Sequence, residues 1–491
     1  MNELKPLRRF GTGAVGGTYA RVVDRLTVHG APIDFRELCR RAVPADARYL
    51  VLDLDRTIHH ERNIGELVGW EYCSRTAYGS ALDSATEGRR GLGRFFVDRK
   101  RPVAAARYLI LGARLWAYPG LFYLWWGKIA ARVAAQRRRA YQAFGPDPVQ
   151  QIQEIPQTAL LQQLATVPLD TVHELVRAVW RRQEPDLVIS REDLAWLRQR
   201  CPNLEIVLSS ASPQAVLEVA AAELGVDAFI GTEVEQRDGR LSAPLLHGLP
   251  LLLVPERPHR FSPPSRYRLN VGYEKIRRLA ERFPDLFRPG VVSVGISDNG
   301  YGEDGAFAEH FTHVVDVNSR VPFPPVVGAS SPLREIHSAA VLTRREQERR
   351  QAGEAGWTDP RRKKVPTGGP RTFERAELEP RLAGVLKEIE RLAARLTLAD
   401  RDLSARRAEA AREEDRLGAK VEAMVASYNG GDGPHREHML ESLRDQLDAL
   451  GGLRRSFAAL VRPLSDAAFE LSEWVDSSRQ VVSRGAQAAP S

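Results

Sequence analysis

The chain has 491 residues, 43% of them apolar, with a net charge of +8 and three cysteines. That length exceeds one ordinary domain, and the apolar content supports a sizeable core, which excludes a disordered or fibrous chain. Cys39, Cys73 and Cys201 are too few and too scattered for a disulfide framework or a zinc site, so the expected location is a reducing, cytoplasmic one.

Residues 1–45 read as an N-terminal extension, basic from Met1 to Val22 and without the apolar run of a signal peptide. Its Gly11-Thr12-Gly13-Ala14-Val15-Gly16-Gly17 superficially matches a dinucleotide loop, but no strand precedes it, and a flexible loop is the reading. The first informative element is Tyr49-Leu50-Val51-Leu52-Asp53-Leu54-Asp55-Arg56-Thr57, an apolar run that delivers two carboxylates to the end of a buried strand. Strand side chains alternate, so Asp53 and Asp55 lean the same way, about 7 Å apart along the strand, while Leu54 points into the core. Two acids beside the hydroxyl of Thr57 can supply a nucleophile and a proton shuttle, and together they can hold a divalent cation. His59 and His60 read as paired surface histidines without a role.

Residues 76–190 are far too many for a connection and read as a helical insert. From Arg89 to Arg139 there are 13 Lys/Arg against one acid, Asp98, a local net of +12. The stretch also holds Phe95, Phe96, Tyr108, Trp116, Tyr118, Phe122, Tyr123, Trp125 and Trp126. The first expectation is a helical hairpin turning at Pro119-Gly120, with its aromatics packed and its arginines solvated. The alternative is peripheral contact of residues 89–139 with an anionic membrane at its inner face. Arg114 and Pro119-Gly120 leave apolar pieces too short to span a bilayer, and no module accompanies the basicity that would suit nucleic acid.

Ile206-Val207-Leu208 reads as a second strand ending at Ser209 and Ser210, with Ser212 as N-cap and Pro213 as first residue of a helix from Gln214 to Leu224, closed by Gly225. A hydroxyl at that strand end, facing a helix start, is a ready anion site. Lys275, in the first turn of a helix opening at Gly272, sits at the wrong end for the helix dipole, so an inward-pointing ammonium needs a reason. Val291 to Asp298 is a third strand ending in an acid, with Glu303 and Asp304 close behind, and His313 to Val317 is a fourth. Strands alternating with helices, each ending in polar residues, predict a parallel, doubly wound sheet with its site at the carboxyl edge.

Residues 336–372 read as a linker, rich in proline, glycine and basic residues after Gln351. Beyond it the period becomes seven: Leu382, Ile389, Leu396, Leu403, Ala410, Leu417 and Met424, then Leu443, Leu450, Phe457, Leu464 and Leu471 after a Gly-rich turn at 429–434. Residues 373–480 are thus expected to form a helical hairpin or coiled coil serving a homo-oligomer or a protein partner, with Pro463 kinking its second arm and 481–491 a disordered tail.

In their order and spacing, Asp53-x-Asp55-x-Thr57, the strand-end serine, Lys275 and the acids after the third strand resemble the four-motif signature of the haloacid dehalogenase (HAD) superfamily. Ile206 to Ser-Ala-Ser-Pro, Leu224-Gly225-Val226-Asp227, Ile230-Gly231-Thr232 and Asp238-Gly239-Arg240-Leu241 resemble its phosphoserine-phosphatase-like branch. The resemblance implies a Rossmann-like α/β core over 46–75 and 191–335, with 76–190 as a cap inserted after the first strand. It also implies Mg²⁺-dependent phosphomonoester hydrolysis through an aspartyl-phosphate, on a small phosphorylated metabolite or a lipid phosphate. In that scheme Asp53 is the nucleophile and Asp55 the acid and base. Ser210 (or Ser209), Thr57 and Lys275 bind phosphate. Asp53, Asp55 through its carbonyl, Asp298 and Asp304 (or Glu303) hold the metal. The alternatives are a phosphotransferase using the same residues, and a non-catalytic scaffold working through its coiled coil and basic surface. One departure stands out: Ser297 occupies the position before Asp298 where the family usually has glycine, and the following acids come five and six residues later.

Overall fold

The computed structural model describes residues 20–60, 62–82, 100–112, 167–233, 239–241, 272–300, 304–319, 323–354 and 369–387, with isolated positions between and beyond them. Outside the described residues lie the glycines at 11–17, most of the 76–190 insert with all the aromatics named for 89–139 but Tyr108, Glu303, most of the Pro/Gly-rich stretch after 354, nearly all the heptads and the 481–491 tail.

The strands are β1 (Ala20–Val22), β2 (Arg25–Val28), β3 (Tyr49–Leu52), β4 (Glu205–Pro213), β5 (Ala228–Thr232), β6 (Gln236–Arg237), β7 (Arg240–Leu241), β8 (Ser293–Ser297), β9 (His313–Val317), β10 (Val326–Gly328), β11 (Glu335–Ala339) and β12 (Arg371–Glu374). The helices used below are α1 (Phe35–Ala42), α2 (Ile64–Tyr78), α3 (Leu169–Gln183), α4 (Arg191–Arg200), α5 (Gln214–Leu224), α6 (Gly272–Arg282), α7 (Phe307–His310) and α8 (Arg344–Gln351). Eight strands form one sheet in the order β12-β2-β11-β9-β8-β3-β4-β5, parallel except for the β12 edge. β3 lies in the middle, paired with β4 on one side and β8 on the other. This is the Rossmann-like parallel sheet that the motif order predicts.

Alternation along the strands sets the three layers. Leu50, Leu52 and Leu54 join Ile206, Leu208, Val294 and Ile296 in one apolar layer, packed against α1 to α5. Tyr49, Val51, Val207 and Val314 face the other way, toward Ile276 and Leu279 of α6 and the Phe307–Phe311 pair. A sheet covered on both faces must be apolar on both, and the uninterrupted burial of β3, β8 and β9 meets that requirement. Gly295 has a local reason: a Cβ there would stand 2.6 Å from the Phe307 ring.

The sheet is wider than the expected core. The 1–45 segment, expected as an extension, supplies β2 and the amphipathic α1, whose Phe35 and Leu38 are buried. The 336–372 segment, expected as a linker, supplies most of β11 and the start of β12, and Thr343 caps α8 inside it. These strands escape a reading by apolar run because they are short and are completed only by long-range pairing. The helical turns after β12 belong to the core too: Leu378, Leu382 and Val385 pack with Phe373 and Leu26, so the first heptad position is core-facing. His59 and His60, expected at the surface, are buried, and His59 sits edge-on to Trp180 of α3 with ring centroids 4.5 Å apart. Cys39, Cys73 and Cys201 are free and buried. Among the described residues no helix is long and apolar enough to cross a membrane.

Candidate active site at the carboxyl edge of the sheet

The site forms where β3, β4 and β8 end side by side. Asp53 extends β3 by one more ladder bond, its N–H donating to the Ile296 carbonyl at 3.0 Å. Its parity with Tyr49 and Val51 turns its carboxylate toward the α6 side. There Lys275 is fully buried, its Nζ donating to Asp53 Oδ1 at 3.0 Å and to Asp304 Oδ1 at 2.5 Å. The reason the first-turn lysine needs is therefore a pair of buried carboxylates.

Asp304 is held from its other side by the Ser297 hydroxyl, which donates to Oδ2 at 2.6 Å and accepts the Asn299 N–H at 2.9 Å. The serine that departs from the usual glycine thus bridges the longer interval between Asp298 and the next acid. Both Asp304 oxygens are engaged, one by Lys275 and one by Ser297. Asp298 is tied to Thr57: its N–H donates to Thr57 Oγ1 at 3.0 Å, and that hydroxyl lies 3.5 Å from Asp298 Oδ1. Thr57, expected at the phosphate, secures the loop after β8.

Asp55 is pinned by two donors. Ile64 N–H, at the start of α2, donates to Oδ1 at 2.9 Å, and the Ser212 hydroxyl donates to Oδ2 at 2.7 Å. Ser212 does not cap a helix: β4 runs through Pro213, and α5 begins without a side-chain cap. Between Asp55 and Asn63 the chain turns sharply, with Arg56 in the left-handed region at φ 64°, a conformation uncommon for a side chain of that size and typical of functional turns.

Ser209 and Ser210 are both buried. Ser209 Oγ receives a donor from Asn270 Nδ2 at 3.2 Å, and Ser210 Oγ accepts the Ser212 N–H at 3.3 Å, which leaves its own O–H to donate. Asn270 was not anticipated. Its amide also donates to the Ser210 and Ile230 carbonyls at 2.9 Å each, tying the ends of β4 and β5 together five residues before Lys275. One asparagine in a proline- and arginine-rich stretch carries no signal of its own. The pattern around Ser212 predicts a helix N-cap, and nothing in it points to the bond with Asp55.

Charge in this pocket is unbalanced. Asp53, Asp55, Asp298 and Asp304 share the edge with Lys275, and Arg56 acts from the rim. Burial pushes the Asp53 carboxyl up to about 8 against the pull of Lys275, with Asp304 and Asp55 adding to the rise. Burial also pushes Asp298 up to about 8, with repulsion from Asp53 next in size, and burial raises Asp55. Among the described residues no three Asp, Glu, His or Cys side chains converge as a complete metal cage. The chemistry of the donors nevertheless fits a hard divalent ion: Asp53 and Asp298 are oxygen ligands that repel each other, and a cation between them would offset the burial and repulsion that push both carboxyls up. Two carboxylates and a carbonyl, with water completing the shell, suit Mg²⁺.

No family model matches the chain, and no curated protein matches it in sequence. Solved structures do resemble it. A protein of unknown function from Bordetella pertussis Tohama I is 18% identical over 56% of this chain and 91% of its own, with a TM-score of 0.30. A phosphoserine phosphatase in its apo form is 10% identical over 62% and 98%, with a TM-score of 0.29. A HAD family hydrolase from Salmonella enterica serovar Typhi is 13% identical over 58% and 70%, with a TM-score of 0.31. By its own topology the core of this chain is a Rossmann-like, mostly parallel sheet with β3 central, and Asp53, Lys275 and Asp304 meet at its carboxyl edge beside the Thr57–Asp298 pair, the layout that the resemblance to the HAD superfamily leads one to expect.

Proposed function

We propose that the protein is a Mg²⁺-dependent phosphomonoester hydrolase that works through an aspartyl-phosphate on Asp53. The observation that carries this reading is the buried Asp53–Lys275–Asp304 array at the end of the central strand. A carboxylate and a phosphate repel, so a nucleophilic aspartate needs a cation beside it, and a lysine at full burial has few other reasons to exist.

In the first step an Asp53 carboxylate oxygen attacks phosphorus. The bond from phosphorus to the ester oxygen breaks, and Asp55 gives its proton to the departing alkoxide. In the second step Asp55, now ionised, takes a proton from water, the water oxygen bonds to phosphorus, and the bond to Asp53 breaks to release phosphate. Lys275 neutralises charge between nucleophile and phosphoryl oxygens, and the Ser210 hydroxyl donates to one of those oxygens. Asp53, Asp298 and the Asp55 carbonyl would hold Mg²⁺, which when bound keeps Asp53 ionised and offsets phosphoryl charge. A phosphotransferase would use the same groups. A retired scaffold has no physical reason to keep the Asp53 and Asp304 carboxylates buried around Lys275, with Asp55 and Asp298 beside them.

The test is a phosphate-release panel with Mg²⁺, spanning small phosphorylated metabolites and lipid phosphates, run beside Asp53→Asn. The parent is expected to turn over at least one ester and the variant essentially none; equal release by both would remove Asp53 from the mechanism.

The partner proposed for residues 89–139 is an anionic bilayer surface, and the 373–480 heptads beyond Val385 are assigned to a second copy of the chain. On the helical stretch 102–112, Tyr108 is buried near Trp70 and Tyr78, which fixes one face inward. Val103 and Ile110 are 82% and 59% exposed on the other face, beside exposed Arg107. Apolar tips among arginines suit a charged lipid interface. Flotation with phosphatidylglycerol vesicles at low salt should carry the protein up, and the double substitution Val103→Glu, Ile110→Glu should weaken it at least tenfold. Equal flotation of parent and variant, or none with either, contradicts the assignment.

A further inference from the structure

We infer that Ser212 is a positioning residue for the proton donor, holding Asp55 so that its proton reaches the leaving oxygen; this rests on the hydrolase reading and deepens it. Three features of the fold converge on that hydroxyl. Ser212 is completely buried, and its Oγ donates to Asp55 Oδ2 at 2.7 Å. The other carboxyl oxygen is occupied by the Ile64 N–H at 2.9 Å. The strand itself is bent to deliver the hydroxyl: the pairing of β4 with β5 shifts register between Ser209 and Pro213.

The irregularity is built in by its neighbours. Gly231 on β5 lies against it so closely that a Cβ would stand 2.9 Å from Gln214 Cα and 3.0 Å from the Ser212 carbonyl oxygen. Thr232 secures the same bend, its hydroxyl donating to the Ala211 carbonyl at 2.6 Å. The register shift falls at the residues that bring the Ser212 hydroxyl to Asp55, in the turn that follows β3.

The two donors on Asp55 differ chemically, and the difference assigns the proton. A backbone N–H can only donate, so Oδ1 stays the unprotonated oxygen in both forms of the acid. On the hydrolase reading, the proton that Asp55 gives up is therefore assigned to Oδ2, the oxygen beside Ser212. A hydroxyl donating to a second lone pair of Oδ2 leaves the O–H free to point at the ester oxygen. Once that proton moves to the leaving alkoxide, the same hydroxyl bond strengthens, because charge-assisted bonds to carboxylate are about twice as strong as neutral ones. Ser212 therefore acts on the step in which the leaving group is protonated, and hardly at all where the leaving group needs no proton.

The prediction is a dependence on leaving group. Steady-state kcat/KM with Mg²⁺ is measured on an alkyl phosphate, whose alkoxide leaves only with a proton, and on para-nitrophenyl phosphate, whose phenolate leaves without one. Ser212→Ala should lose at least tenfold more on the alkyl ester than on the aryl ester. Ser212→Thr keeps the hydroxyl and should restore most of the difference, whereas Ser212→Val has threonine's shape without the hydroxyl and should not. The threonine and valine pair covers the case in which alanine leaves too large a void to fold. Equal losses on both esters, or Thr and Val behaving alike, would overturn the role of Ser212 while leaving the hydrolase reading intact. No turnover of either ester by the parent would overturn both.

Discussion

Replacing Lys275 with methionine removes a buried ammonium and leaves its volume nearly filled, so the consequence is mostly electrostatic. The nitrogen sits 3.0 Å from Asp53 and 2.5 Å from Asp304, both buried. Removing one partner of a buried ion pair costs about 3–5 kcal/mol, because the charge left behind has neither solvent nor partner. That corresponds to a fall of roughly a hundredfold to a few thousandfold in the folded-to-unfolded ratio. Proton uptake by Asp53, whose carboxyl already lies at about 8, relieves part of this, so the penalty should be smaller near pH 6 than near pH 9. Turnover should fall by about 10²–10³, the usual cost of losing one group that stabilises transition-state charge. Urea unfolding followed by tryptophan fluorescence at both pH values, with phosphate release on the same preparations, measures each quantity. A variant within about 1 kcal/mol of the parent at pH 9 and within tenfold in turnover would refute the view that Lys275 serves these two carboxylates.

Two further outcomes follow from the same charges. Asp53 and Asp298 ionise near 8 when folded against 3.8 in an open chain, so between about pH 4 and 8 the folded state binds more protons than the unfolded one. Stability of the metal-free protein should therefore fall as pH rises through that window, and Mg²⁺, which needs both groups ionised, should raise the Tm more at about pH 8.5 than at about pH 6. Scanning fluorimetry decides; a metal-free Tm that climbs over this range would contradict the electrostatics. Ser297→Ala removes the 2.6 Å bond to Asp304 and the acceptor of Asn299 N–H, both in the interior. It should cost about 1–3 kcal/mol in urea unfolding. A loss under about half a kcal/mol would mean that the longer loop needs no such bridge.

What could be read along the chain were features whose signal is local. Four consecutive apolar residues ending in Asp53 can only be a buried strand here, and Leu54 falls to the core side as alternation requires. Lys275 at a helix N-terminus announced itself by being at the wrong end of a dipole. The destination of Ser212 was not legible, because Ser-Pro before an apolar helix is a strong capping pattern; a register shift imposed by Gly231 and Thr232 on another strand redirected it. Asn270 works entirely through contacts with β4 and β5, more than 35 positions away, and no pattern around it encodes them. The same applies to β2 and β12, whose Arg25–Glu374 pairing is made between the far ends of the core. His59 and His60 sound polar in sequence, yet the turn after Asp55 folds them beneath α3.

The most direct test of the account is to look for the covalent intermediate. The parent protein, turning over a ³²P-labelled ester with Mg²⁺, is quenched in acid and digested, and the labelled peptide is identified. The label should fall on the peptide carrying Asp53 and be discharged by mild alkali or hydroxylamine, as an acyl phosphate is; Asp53→Asn should carry none. Turnover without label on that peptide, or label and release persisting in Asp53→Asn, would contradict the claim that Asp53 attacks phosphorus.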